Sequence, residues 1–268
     1  MTSGHLHSYE ETQKACDIIE KLFGKDFFKK GVGIIKDSDP SGSGMGRHYT
    51  KNSTSRLLLA WYKAREELTY SAIQGFFRPG IYSAVIGALG KDLLKLGGIP
   101  GVETTAAGLL DDNCFDRTIF MLSIASGFKS ITDQVFFPHE PKGYFSIGGG
   151  YDIHCISLDI PGSLRGNLHQ QYVCQRIKEF ITNKSNSGGK KILYYEITSS
   201  GYPLESAGRL TENNPTLLTE QGITAIILCK TEFPLSTGGV YKKISAYPVI
   251  NKETSGFETT EGLNLYIP

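Results

Sequence analysis

The sequence predicts an α+β protein in which N-terminal helices pack on a mostly antiparallel C-terminal sheet. Three observations carry this prediction. Apolar residues recur at helical spacing through the first half, as in Ala15, Ile18, Ile19, Leu22 and Phe23, and again in Leu57, Leu58, Trp61, Ala64 and Leu68. From about residue 131 the texture changes to β-branched and aromatic runs bounded by Gly or Pro. Hydrophobic residues make up 40% of 268 residues, enough to bury a sizeable core and to exclude a disordered chain. That length suits a single domain over 1–268, with a possible helical subdomain at 1–108 and an α+β core at 109–268.

In chain order, residues 9–30 read as a first helix behind an acidic first turn. The run from Asp37 to Gly46, DSDPSGSGMG, reads as a flexible loop. A long helix is expected from about Thr54, with Glu66 and Glu67 on its polar side. The next runs from about Tyr82 to Leu96, stopped by Gly97, Gly98 and Pro100. A further helix begins near Cys114 and ends at Gly127. Strands are expected at 131–137, 144–147, 151–160, 191–198, 223–229 and 240–249. A helix interrupts them at about 165–182, followed by a polar loop at 184–189.

Composition limits the partners. Lys plus Arg is 28 and Asp plus Glu is 27, so there is no basic excess for neutralising nucleic-acid phosphates. No run approaches the ~18 apolar residues of a membrane-spanning helix, and Met1 to Glu11 has no secretory-signal pattern. Five cysteines without CxxC pairing read as reduced thiols, hence a cytoplasmic setting. The tightest Cys/His pair, His154-Cys155, points to opposite faces of a strand, so no metal is expected. Gly148-Gly149-Gly150 lacks the Lys-Ser/Thr and the following helix of a phosphate loop, and no cofactor is expected.

Cys114 carries the main chemical expectation. Asp111, Asp112 and Asn113 are N-cap residue types, which places Cys114 in a first helical turn, where exposed N–H groups and the positive dipole end favour a thiolate. A nucleophilic thiolate needs a base and an orienting group. His154, on the predicted strand YDIHCISLDI, is the base, and Glu196, in ILYYEITSSG, is the favoured third member. Asp159 is second choice and Asp152 a local alternative. The Cys114 N–H and Asn113 would supply oxyanion donors, while Asp111, Asp112 and Asp116 oppose the thiolate. The same residues also fit a small buried thiol and a core histidine.

Cys on a helix start, His on a strand and a polar residue on the next strand resembles the order in papain-like and transglutaminase-like cysteine enzymes over residues 109–200. DDNCFDR also resembles the Asp-Gly-Asn-Cys motif of ovarian-tumour-type deubiquitinases, with Asp112 in place of Gly. The resemblance implies a thiol-dependent acyl hydrolase or transferase acting on a protein substrate. A second set, Arg47-His48-Tyr49-Thr50 with Gly80-Ile81-Tyr82-Ser83-Ala84, resembles the His and Tyr motifs of diphtheria-toxin-type ADP-ribosyltransferases. That likeness implies NAD bound by His48 and Tyr82, with Glu220 supporting transfer; Ser53-Thr54-Ser55 is similar to the Ser-Thr-Ser motif of the other branch. The glutamate-bearing tail, residues 251–268, resembles export signals of bacterial effectors and implies delivery into a host cell. A non-enzymatic binding or structural protein is the third class.

Overall fold

The computed structural model describes residues 5–38, 55–139, 143–157, 190–197, 203–212 and 223–250, with helical residues also at 171, 172, 175, 176 and 179. The chain starts on a reciprocal cap. The Ser8 hydroxyl accepts from Glu11 N–H at 3.2 Å while Ser8 N–H donates to the Glu11 carboxylate at 2.8 Å, which opens α1 (Tyr9–Phe23). The single helix expected over 9–30 is in fact two. Gly24 adopts φ 85°, a conformation that side chains disfavour, and breaks the run into α1 and α2 (Lys25–Ser38). Helix α2 thereby takes in Asp37 and Ser38, the first two residues of the expected loop.

Ser55 caps α3 (Arg56–Gln74) by accepting from Leu58 N–H at 3.2 Å. Helix α4 (Ile81–Leu96) follows, close to its expected limits. It lies against α1 so tightly that a Cβ on Gly90 would stand 2.3 Å from the Ala15 Cβ. The short α5 (Val102–Ala106) and a 3-10 turn (Ala107–Leu110) lead into α6 (Phe115–Lys129). Helix α6 buries Phe115, Phe120, Met121, Leu122, Ile124, Ala125 and Phe128, which cover almost its whole circumference. Such a helix needs neighbours on every side, and α6 has α4 on one flank and the sheet on the other.

The strands are β1 (Val135–Phe136), β2 (Tyr144–Ile147), β3 (Tyr151–Ser157), β4 (Lys190–Glu196), β5 (Ile223–Glu232), β6 (Leu235–Ser236), β7 (Gly239–Val240) and β8 (Lys243–Ile250). Six form one mixed sheet in the order β1-β2-β3-β4-β5-β8, and β6 and β7 form a separate hairpin. Three of its pairings are antiparallel, while β3, β4 and β5 run parallel at its centre. The α+β class holds. The parallel centre reads in the sequence as near-continuous apolar runs, ILYY and ITAIILC, because both faces of these strands are covered.

One face, with Ile153, Cys155, Ile192, Tyr194, Ala225, Ile227 and Cys229, joins α1, α3, α4 and α6 in a large core. The other, with Leu193, Tyr195, Ile226, Leu228 and Val249, forms a smaller core with α7 (Leu204–Glu212) and Tyr172. The sequence reading did not anticipate α7. Its nine residues are too short for a decisive helical period, and its partner, Tyr247 on β8, is remote in sequence. The polar loop at 184–189 and most of the helix expected at 165–182 lie outside the described residues.

Candidate functional site

Three parallel strands end side by side at Ser157, Glu196 and, on β5, Thr231 and Glu232. Open α/β sheets bind ligands beyond such carboxyl ends. Here a cavity of about 650 Å³ lies there, within the range of small-molecule sites. Its polar floor is built by strand alternation. Ser157, Glu196 and Thr231 point to the α6 face, like Cys155, Tyr194 and Cys229 in the same strands. The Ser157 hydroxyl donates to Glu196 Oε2 at 2.9 Å, and the Thr231 hydroxyl donates to Oε1. The two hydroxyls hold the carboxylate in one orientation.

The walls come from the first turns of three helices. Arg56 opens α3, Ile81 and Tyr82 open α4, and Phe115 and Asp116 open α6; all line the cavity with Leu59, Val85, Phe120 and Phe233. Helix N-termini carry partial positive charge. Two are capped from a distance: the Asp112 carboxylate accepts from Arg56 N–H at 2.8 Å, and Glu67 accepts from Gly80 and Ser83 N–H at 3.0 and 3.3 Å. Asp112 therefore caps α3, not the α6 expected from its position, and Asp111 turns back onto Asn113 N–H at 2.9 Å. Cys114 itself is the N-cap residue of α6, with no side-chain cap bond.

Cations complete the rim. The Arg56 guanidinium grips Asp116 with both terminal nitrogens, at 2.6 and 2.7 Å, and lies over the Phe115 ring at 4.8 Å. The Lys242 ammonium reaches the Ser123 hydroxyl at 3.3 Å. Burial pushes the nearby Asp92 carboxyl up from the usual carboxylate range, against the pull of Lys242 and the Ser126 and Ser123 hydroxyls. Sequence reading missed Arg56, Ser157, Thr231 and Lys242, which are spread over 187 positions and share no motif; only the ends of predicted strands offered a signal.

The expected Cys114–His154–Glu196 constellation is not assembled. His154 pairs in register with Leu193 and Tyr144, so its ring lies on the small-core face, 5.1 Å from the Tyr144 ring. Glu196 and α6 occupy the other face, and the sheet separates base from orienter. Cys114 is partly buried at the start of α6. A hydrogen bond with Asp111 raises its pKa above the ordinary thiol value and burial adds to this, outweighing the Arg117 guanidinium 3.5 Å from the sulfur. Asp152 accepts from Ser146 at 2.7 Å, and Asp159 lies outside the described residues. The other described thiols are buried: Cys16 is pushed up to about 12, and Cys155 and Cys229 are pushed well above the ordinary value by desolvation.

Of the second set, Tyr82 lines the cavity, while His48, Ser53, Thr54 and Glu220 lie outside the described residues, as do Cys174 and the tail at 251–268. Among the described residues no helix is long and apolar enough to cross a membrane. Comparisons with protein-family models, with curated proteins and with solved structures find no match to this chain.

Proposed function

We infer that this protein binds a small molecule in the cavity at the carboxyl ends of β3, β4 and β5, with Glu196 as its polar anchor. One observation carries the reading. A carboxylate only 7% exposed is held by two hydroxyls at the end of a pocket whose walls combine aromatic and aliphatic side chains with Arg56, Asp116 and Lys242. Burying a carboxylate is costly, and one that faces a cavity is a functional-site candidate. The ligand class follows from the lining. Glu196 accepts from an amine or another donor; Lys242 and Arg56, the latter shared with Asp116, attract an anionic group; Phe115, Phe120, Tyr82 and Phe233 enclose an apolar body. A zwitterion on an apolar or aromatic frame satisfies all three.

Three probes test this: an aromatic amine, an aromatic carboxylate and the corresponding aromatic amino acid, followed by thermal shift and calorimetry. The amino acid binds most tightly, and Glu196→Gln removes its advantage over the carboxylate. Val85→Trp, which fills the cavity from α4, abolishes binding of all three. Binding unaffected by either substitution, or no binding by any probe, would overturn the reading.

A further inference from the structure

A second group of chemically competent side chains lies at the start of the chain, apart from the residues lining the cavity. Ligand atoms of His5, His7 and Glu11 all come within 4.8 Å of one another. The geometry points to a divalent transition-metal site of the zinc class, formed by the two imidazoles and the carboxylate. Each donor is fixed by a different part of the fold. His5 forms an antiparallel bridge with Lys242, just before β8. His7 is buried against Gly87 of α4, where an added Cβ would stand 2.6 Å from the ring. Glu11 is the third residue of α1 and is held by the capping box. His-x-His puts alternate residues of an extended segment on one side, and the first helical turn returns Glu11 to them.

The donor chemistry fits. Two imidazoles and one carboxylate match borderline-soft divalent ions, and three protein donors leave a fourth tetrahedral position for water. Donors about 2.0–2.2 Å from such an ion stand roughly 3.4 Å apart. His5 Nε2 is now 2.9 and 3.0 Å from the two Glu11 oxygens, so these groups part by about half an ångström, while the widest of the three separations, within 4.8 Å, closes by up to about 1.4 Å to admit the ion. The His5 and His7 rings meet edge to face with centroids 4.9 Å apart. His7 is buried, with Lys91 and Lys242 close enough to act on its ring. The two lysines oppose a cation, and the Glu11 carboxylate offsets them. Sequence reading took His154-Cys155 as the tightest Cys/His pair and passed over His5-Leu6-His7, two positions apart.

Calorimetric titration of the full chain with Zn²⁺ alone, backed by the visible spectrum with Co²⁺, decides the matter. Two variants leave the fold in place. His5→Ala removes a half-exposed side chain, and Glu11→Gln keeps a capping-box side chain while losing the anionic donor. The wild type binds one ion per chain and gains thermal stability, and each variant weakens binding on the order of a hundredfold. Circular dichroism confirms that both are folded. No stoichiometric ion in the wild type, equal binding in the variants, or loss in only one of them would overturn the three-donor site.

Discussion

The two faces of the sheet are made by alternate residues of the same strands, yet they end differently. Along β4, Ile192 and Tyr194 run through the large core and the next residue on that face, Glu196, emerges into the cavity. Leu193 and Tyr195 instead belong to a small core beneath α7, and on the neighbouring strand His154 sits among them. Glu196 and His154 are both buried polar residues, at 7% and 2% exposure. Burial alone therefore does not mark a site; what distinguishes Glu196 is that three helices start around it while no core closes over it.

The largest expected effect compares the cores directly. Ile227→Ala, on the α6 face, is expected to cost about 3–5 kcal/mol, because its neighbours are packed from several helices and cannot collapse. Leu228→Ala, one residue on and equally buried, is expected near the lower end, about 2–3 kcal/mol, under the thinner α7 layer. Urea denaturation measures both, and equal losses would erase the distinction between the faces.

Glu196→Gln and His154→Leu sharpen the comparison through binding. Glu196→Gln keeps a carbonyl acceptor for one of the two hydroxyls and turns an NH2 donor towards the other, which must rotate to accept, so stability falls by about 1–2 kcal/mol, while affinity for the amine-bearing probe drops at least about tenfold through the lost charge. His154→Leu leaves that affinity within about twofold, since its ring lies across the sheet. A large binding loss in His154→Leu would mean that the faces communicate.

Smaller still is Arg56→Ala. Both members of the Arg56–Asp116 pair are about half exposed, at 46% and 55%, so the ion pair contributes no more than about 1 kcal/mol to stability. Its effect appears as weaker binding of the carboxylate probe and a flatter salt dependence.

The smallest effect is kinetic. The Cys114 pKa is raised by the Asp111 hydrogen bond, so its thiolate fraction at neutral pH is below that of an ordinary thiol. Alkylation should be slow near pH 7 and climb only above the usual thiol range, and Asp111→Asn should shift the profile towards lower pH. Rapid labelling of Cys114 at pH 6 would restore the poised nucleophile that the geometry argues against.

Much of this molecule was readable from local pattern. The apolar periods of α3 and α4 fall where the sequence places them, as do β2 and the cores of β3, β4 and β5, because these depend on period and on boundary residues within a few positions. Helix α6 was legible for the same reason, although its start is one residue later than expected and its caps serve other helices. Gly24 shows the limit of that approach: glycine was visible, but only its positive φ turned one helix into two.

The site belongs to the tertiary structure. Sequence order predicts that Cys114, His154 and Glu196 converge, with each on a helix start or a strand. Whether they meet depended on register, and a single-residue difference in strand parity put His154 on one face and Glu196 on the other. Parity within a strand is written in the sequence, but which face meets α6 is decided by packing between segments far apart in the chain. The amino-acid sequence by itself determined α3, α4, α6, the longer strands and the α+β class, which arise from period and boundary residues between near neighbours. The parallel centre of the sheet, the cavity at its carboxyl ends and the company Glu196 keeps were decided only when Arg56, Phe115, Glu196, Thr231 and Lys242 were brought together, because long-range packing has no local signature.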